Sequence, residues 1–384
     1  MALTPMMQQF MDIKSQYDDC ILLFRLGDFY EMFFEDSYKA SRVLGLTLTS
    51  RGKDDFGNKI PMCGIPYHAL QNYLPKLLQN NLKVAICEQT EDATSSKGLT
   101  KREVVDVISP GTILEEQLLN STENNYLAAI DINDIKNIYS IAYCDISTGE
   151  FSFSETGSHE LFMNEIARID PRELLIPTTI EHNHFKEFHY ITRTNPMSLE
   201  EASDLCKKTY NIFSLESLGL DDKTSAIHAV ATILSYLLRN KKINQNIRKP
   251  KIYLLDNTLF INNITLKNLE IIESTQSRSK KGSLFWVMDN TKTAMGSRCL
   301  KKWLLRPLYN IEEIQTRLDI TDYFYQNFNI LNQLRELLEL VYDMERIATK
   351  VSSHKSNPKD LISFKNSLLM LPEIFRNVAG IEHE

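Results

Sequence analysis

The chain has no apolar run of the length needed to cross a bilayer. Its start, Met1-Ala2-Leu3-Thr4-Pro5, lacks the basic segment and apolar stretch of a secretory signal. Its six cysteines (Cys20, Cys63, Cys87, Cys144, Cys206, Cys299) are scattered without one CxxC pair. That argues against a disulfide scaffold or a zinc site and for a reducing, cytoplasmic setting. The eight histidines include His182-x-His184, but no carboxylate or cysteine at ligand spacing completes a metal site, so none is expected. No stretch matches GxxxxGK[ST], and Gly98-Leu99-Thr100-Lys101 is no substitute for that phosphate-cradling loop. Positive charge is not in excess either. The formal net charge is -7, which does not advertise a polyanion as partner.

What is present is an ordinary globular composition, 43% hydrophobic and 24% charged, in 384 residues. That length is too great for one core and predicts two or three domains. The charge is unevenly spread. Six basic residues and no acidic one lie between Arg239 and Lys251, and eight basic residues face only Asp289 between Arg278 and Arg306. Such runs are usually solvated faces, but folded onto one surface they could contact phosphates.

The stretch Gly27-Asp28-Phe29-Tyr30-Glu31-Met32-Phe33 organises the rest. It follows Ile21-Leu22-Leu23-Phe24, which has the make-up of a buried strand, and reads as the start of a helix. In that helix Phe33, Phe34, Tyr38 and Val43 share a face, and Gly45 ends it. Two readings compete. In one, Asp28 is an N-cap, Glu31 closes a capping box and Phe29 packs internally. In the other, Phe29 is an exposed aromatic wedge and Glu31 hydrogen-bonds to whatever the ring touches. Spacing alone favours the first.

Along the chain, Thr4-Pro5 opens a short amphipathic helix. Leu46 to Thr49 alternates like a strand, and a polar turn over residues 51–58 leads back to Ile60-Pro61-Met62. The next helix contains Pro75 and is expected to start or kink late. Val84 to Cys87 and Val104 to Ile108 are further strands, and Pro110-Gly111 closes a mixed α/β domain. Three strands follow (126–132, 138–144, 150–153). Helix and strand then alternate, with Ser198 and Glu201 forming a capping box and a long helix over about 222–241. Three antiparallel-looking strands followed by alternating β and α resemble a ribonuclease-H-like fold. A nuclease on that fold needs converging carboxylates. Asp145 could supply one, but no partner set accompanies it, and the non-catalytic reading is preferred. From Asn257 on the pattern is helical, with long helices over 311–328, 330–349 and 358–375. A chain that stops soon after a helix whose apolar face has no later partner reads as a fragment.

Several of these stretches resemble the MutS family of DNA mismatch-recognition proteins. They are Phe24 to Phe33, Leu48-Thr49-Ser50-Arg51-Gly52, Pro61 to His68, Ala85-Ile86-Cys87-Glu88-Gln89 and Val107 to Thr112. The likeness continues through Asp145 to Phe151, Met295-Gly296-Ser297-Arg298 and Leu300-Lys301-Lys302-Trp303-Leu304, in collinear order over nearly the whole chain. It implies an α/β multidomain protein: a mixed α/β mismatch-binding domain (1–112), a linker (113–125), a ribonuclease-H-like connector domain (126–250) and the incomplete start of an all-α core/lever domain (251–384). The family's Phe-x-Glu motif maps onto Phe29 and Glu31, which implies that Phe29 stacks on a mispaired base from the minor groove and Glu31 hydrogen-bonds to that base. Leu26, where methionine is common in relatives, Asp28 and Arg51 match positions around the mismatch, and Ser96 and Lys97 a loop near the DNA backbone.

The resemblance also implies mismatched double-stranded DNA as ligand, a MutL-type protein docking on the connector, and homodimers in the full-length family. ATP and magnesium belong to an ATPase further C-terminal, so this chain is expected to be no enzyme itself. Two rivals remain at this level. One is a metal-dependent nuclease, whose cleavage would disappear in Asp145→Asn. The other is a protein-interaction scaffold for the MutL-type partner.

Overall fold

The computed structural model describes residues 4–54, 56–90, 100–181, 185, 188, 190–242, 247–255 and 258–379. Its contacts divide it into two units, Met1–Ile113 with Ser235–Ile243, and Leu114–Leu234 with Asn244–Glu384. His182 and His184 lie outside the described residues. Among the described residues no helix is long and apolar enough to cross a membrane.

The first unit opens with α1 (Pro5–Lys14), whose first turn is capped by Thr4 accepting from the Met7 amide. Strand β1 (Cys20–Leu26) is buried through Phe24, as its unbroken apolar run requires of a strand covered on both faces. It pairs antiparallel with β2 (Phe29–Phe33) and parallel with β5 (Lys83–Gln89). With β3 (Thr49–Lys53), β4 (Lys59–Pro66) and β6 (Arg102–Ile108) they form one sheet of order β3-β4-β2-β1-β5-β6. Helices α2 (Phe34–Leu44) and α3 (Leu70–Gln79) also belong to this unit. On one face, Phe10 of α1 meets Phe24 and Phe33 edge-on, with ring centroids 5.5 and 5.1 Å apart. Leu22, Ala85, Cys87, Val104 and Val107 extend that core.

The structure corrects the expected helix at Phe29. Residues 29–33 are a strand, and the helix begins only at Phe34, which takes φ +51° at the strand-to-helix bend. Aromatic-rich β2 has two neighbours, β1 and β4, to satisfy its backbone, and that pairing outweighs the local helical pattern. Asp28 therefore caps no helix and Glu31 closes no capping box. Gly45 does end α2, in the left-handed conformation expected of it. The hairpin over residues 51–58 forms, but β3 begins at Thr49 rather than Leu46. Helix α3 starts five residues before Pro75, not late. It forgoes one i→i−4 bond there and keeps going.

The second unit carries β7 (Leu127–Asn133), β8 (Ile138–Asp145) and β9 (Glu150–Thr156), antiparallel in succession. After α4 (His159–Ile169), β10 (Glu173–Pro177) returns parallel to β7 on its free side. Next, β11 (Ile191–Thr194) lies parallel to β10, and a short β12 (Lys251–Ile252) lies parallel to β9. The order is β11-β10-β7-β8-β9-β12. Between β11 and β12 run α5 (Leu199–Tyr210), opened by the Ser198–Glu201 capping box, and α6 (Thr224–Arg239).

Helices α7 (Asn263–Asn268), α8 (Leu284–Met288), α9 (Ala294–Leu305), α10 (Ile311–Gln326), α11 (Phe328–Glu339), α12 (Met344–Ser352) and α13 (Pro358–Val378) follow. The single helix expected over 330–349 is two. Asp343 ends the run by capping α12, its carboxylate accepting from the Arg346 amide. The same carboxylate receives two bonds from Arg298 of α9, at 2.6 and 2.9 Å, and Arg298 also reaches Glu345 and the Ser121 carbonyl.

Candidate nucleic-acid interface

Strands β1 and β2 are joined by two residues, with Leu26 directly opposite Phe29. A loop that short needs a positive φ at its first position, and Gly27 supplies it at +58°. The loop is braced from three directions. The Asp28 carbonyl accepts from the Tyr67 amide at 2.9 Å. The Arg25 side chain bonds the Gly27 carbonyl and lies 3.6 Å from the centre of the Tyr67 ring. Arg102 donates to the Arg25 carbonyl at 2.7 Å. On the same face as Arg25, the Tyr30 hydroxyl bonds Glu88. Burial and that bond push the phenol well above its ordinary range, so it stays a donor.

The other face of β2 holds Phe33, Glu31 and Phe29, because strand side chains alternate. Along this one face the chain passes from core to solvent: Phe33 is 1% exposed, Glu31 8% and Phe29 47%. Phe29 sits between Leu26 on β1 and Pro66 on β4. Its ring is thus held at its base by apolar neighbours and open beyond them. Glu31 sits between Phe24 and Gly64. A Cβ at Gly64 would press on the Tyr30 carbonyl at 3.3 Å and meet the Glu31 Cγ in ordinary contact at 3.5 Å.

The Glu31 carboxylate is held by Arg51, whose Nη1 donates to both oxygens at 2.6 and 2.8 Å. Arg51 lies on the outermost strand, where the pairing of β3 with β4 slips between Ser50 and Lys53 and Gly52 takes φ +74°. That bulge re-aims the Arg51 side chain. The arginine is half exposed while the carboxylate is mostly covered, and a pair of this kind contributes about 0–1 kcal/mol.

The structure therefore brings Leu26, Asp28, Phe29, Glu31 and Arg51 together in one unit, with Leu26 half-buried and Asp28 exposed at the loop. Ser96 and Lys97 lie outside the described residues. Arg25, Tyr67 and Gly64 were not singled out from the sequence. The only signal was their place inside the two quoted stretches, Phe24 to Phe33 and Pro61 to His68.

Two other candidates are also occupied internally. Asp145 is fully buried, and its two oxygens take four bonds: from the Ser147 amide and hydroxyl, the Asn124 side chain and the Asn125 amide. Those bonds use the lone pairs a metal would need. Opposite it, Glu150 accepts from Lys302 at 2.6 Å and from the Tyr126 hydroxyl at 3.1 Å. Among the described residues no group of metal-ligating side chains gathers anywhere. The basic run 278–306 is also largely spent internally. Lys280 pairs with Asp289, Lys292 with Glu339, Arg298 with Asp343, Lys302 with Glu150 and Arg306 with Glu165. Buried thiols add no chemistry: desolvation pushes Cys20 and Cys87 up to about 12 and Cys63 to about 11.

Residues 4–117 match the family model of MutS domain I, residues 125–248 that of MutS domain II, and residues 264–384 that of MutS domain III. The chain is similar to the DNA mismatch repair protein MutS of Syntrophomonas wolfei, with 40% identity over 384 residues covering 97% of this chain and 44% of the relative. It is similar to the protein of the same name from Staphylococcus haemolyticus, with 42% identity over 372 residues covering 97% and 41%. For the one from Alkaliphilus oremlandii the figures are 40% over 389 residues, 97% and 44%. The chain thus spans less than half the length of the curated relatives it matches.

Proposed function

The chain belongs to the MutS family, carrying its domains I, II and III in order, and on that premise we propose that it recognises mispaired or looped duplex DNA in mismatch repair. One observation carries the reading: an exposed phenylalanine two residues from a covered glutamate, on one face of a braced hairpin, within the segment matching MutS domain I.

Phe29 enters the minor groove at the mispair and stacks on a base. A mispair lowers the energy needed to unstack and bend the duplex, so a protein that deforms DNA reads the defect as a smaller deformation cost. The wedge costs a few kcal/mol per unstacked step. Stacking returns roughly 1–3 kcal/mol and is indifferent to which base is met. Bracing by Arg25, Tyr67 and Arg102 orders the hairpin before DNA arrives, so less order is lost on binding. Glu31 accepts a hydrogen bond from the displaced base. Leu26, Asp28 and Arg51 border the mispair, Ser96 and Lys97 serve the phosphates, and phosphate contacts position without reading sequence.

The sheet of the second unit, three antiparallel strands continued by two parallel ones beside the first, supports a ribonuclease-H-like connector. The helices α7–α13 support a core/lever domain. A MutL-type partner on the connector, homodimers, and ATP with magnesium at an ATPase further along are what the longer relatives' kinship adds. Asp145, saturated by internal donors, speaks against a nuclease.

The test compares mispaired and matched duplexes at one fixed salt concentration. The parent is expected to prefer the mispair and Phe29→Ala to lose that preference. Equal preference in parent and variant overturns the wedge.

A further inference from the structure

We propose that Arg51 is a specificity-determining residue that trades partners with the DNA: it holds Glu31 when no mispair is bound and releases it to the displaced base. The inference rests on the functional reading above and adds to it a residue and a step.

The geometry frames the choice. Both Glu31 oxygens already accept from a single Arg51 nitrogen, at 2.6 and 2.8 Å. The Glu31 side chain is mostly covered, and that of Arg51 is half exposed. A base edge arriving beside Phe29 therefore competes with Arg51 for those oxygens, and Arg51 is the member that can leave. It stands on a strand exposed along its whole length, next to a bulge glycine with open space around it.

The pair alters what an intact duplex meets. A bare carboxylate would repel any DNA, but this one is offset by the guanidinium bonded to it. On matched DNA nothing displaces Arg51, and the pair contributes no net charge to binding. On a mispair Glu31 is taken by the base, and the freed guanidinium, on the same surface, pairs with a phosphate. Mismatch binding thus gains one cation–phosphate contact that matched binding lacks.

Counterion release makes that contact measurable, since each neutralised phosphate steepens the plot of log affinity against log salt by about 0.9. With the full chain, the slope for a mispaired duplex is expected to exceed that for the matched duplex by about 0.9. In Arg51→Ala the excess should vanish because the mispaired slope falls. In Glu31→Gln, which loosens the pair and keeps the arginine, it should vanish because the matched slope rises. The two variants meet from opposite sides, and either one that folds suffices. Equal slopes in the parent, or Arg51→Ala lowering both slopes alike, overturn the exchange while the mismatch preference stands. A parent with no preference, or Phe29→Ala that keeps one, overturns the functional reading and the exchange with it.

Discussion

Each unit of this protein contains a carboxylate bonded to an arginine, and the two pairs differ in how they are enclosed. Arg298 and Asp343 are both enclosed, their side chains 2% and 10% exposed. Arg51 and Glu31 divide the burial, 48% and 11%. In the enclosed pair burial alone would raise the Asp343 carboxyl, but the two Arg298 bonds and charge outweigh it and hold it below the ordinary range. Burial likewise opposes the Arg298 charge, and Asp343 and Glu345 override it, moving the guanidinium upward. If Asp343 leaves, the enclosed Arg298 loses two of its bonds and keeps only Glu345 and the Ser121 carbonyl. In the open pair one member can be rehydrated at once. The same two functional groups thus make a rivet in one setting and an exchangeable contact in the other, and exposure of the arginine decides which.

The comparison can be broken most directly by removing the carboxylates. Asp343→Ala takes two bonds from an enclosed arginine and removes the cap of α12, and is expected to cost about 3–5 kcal/mol, read by chemical denaturation. Glu31→Ala leaves a half-exposed arginine, and its loss should stay below about 1 kcal/mol. Comparable losses would erase the distinction. Titration sharpens it. Because the folded carboxyl of Asp343 is held below its ordinary 3.8, the unfolded chain binds more protons in that range. Its contribution is therefore present above pH 3.8 and lost as pH falls through the folded value. Asp343→Asn should flatten the acid limb of stability against pH, and an unchanged limb would count against the rivet. On the open side, Tyr67→Leu removes the ring under Arg25 at a cost of about 0.5–1 kcal/mol, with weaker mismatch preference because the hairpin is less ordered. The smallest effect is expected from Gly64→Ala. Its Cβ would press on the Tyr30 carbonyl at 3.3 Å, beside the Glu31 backbone, and touch the Glu31 Cγ at 3.5 Å. Stability should shift by less than about 1 kcal/mol while the mismatch ratio falls. A shift in stability with no change in ratio would show that Glu31 tolerates the crowding.

Local chemistry was legible in the sequence and distant pairing was not. Thr4 before Pro5, Ser198 with Glu201, and Gly45 after α2 act within one helical turn, and each is where spacing put it. The strand at Phe29 was missed because its stabilising neighbour β4 lies some thirty residues on, while the helical pattern of Phe33, Phe34, Tyr38 and Val43 runs up to its end. The break at Asp343 escaped for a like reason: Arg298, which ties that carboxylate, is forty-five residues earlier. The basic run 278–306 looked free because Glu150, Glu165, Glu339 and Asp343 come from other parts of the chain. Phe29 and Glu31 were singled out through their setting, and the Arg51–Glu31 bond could be seen only in three dimensions.

The two-residue loop at Gly27-Asp28 also sets what kinds of genetic change this tip can absorb. Side chains alternate with a period of two, so one residue inserted or deleted between Leu26 and Phe29 would force β2 to slide by one against its neighbours. Tyr30 and Met32 would then turn toward Arg51, and Phe29 and Glu31 toward Glu88. Point changes at Asp28, whose link to Tyr67 is through its backbone, leave that alternation intact. The tip is therefore open to change in spelling and closed to change in length.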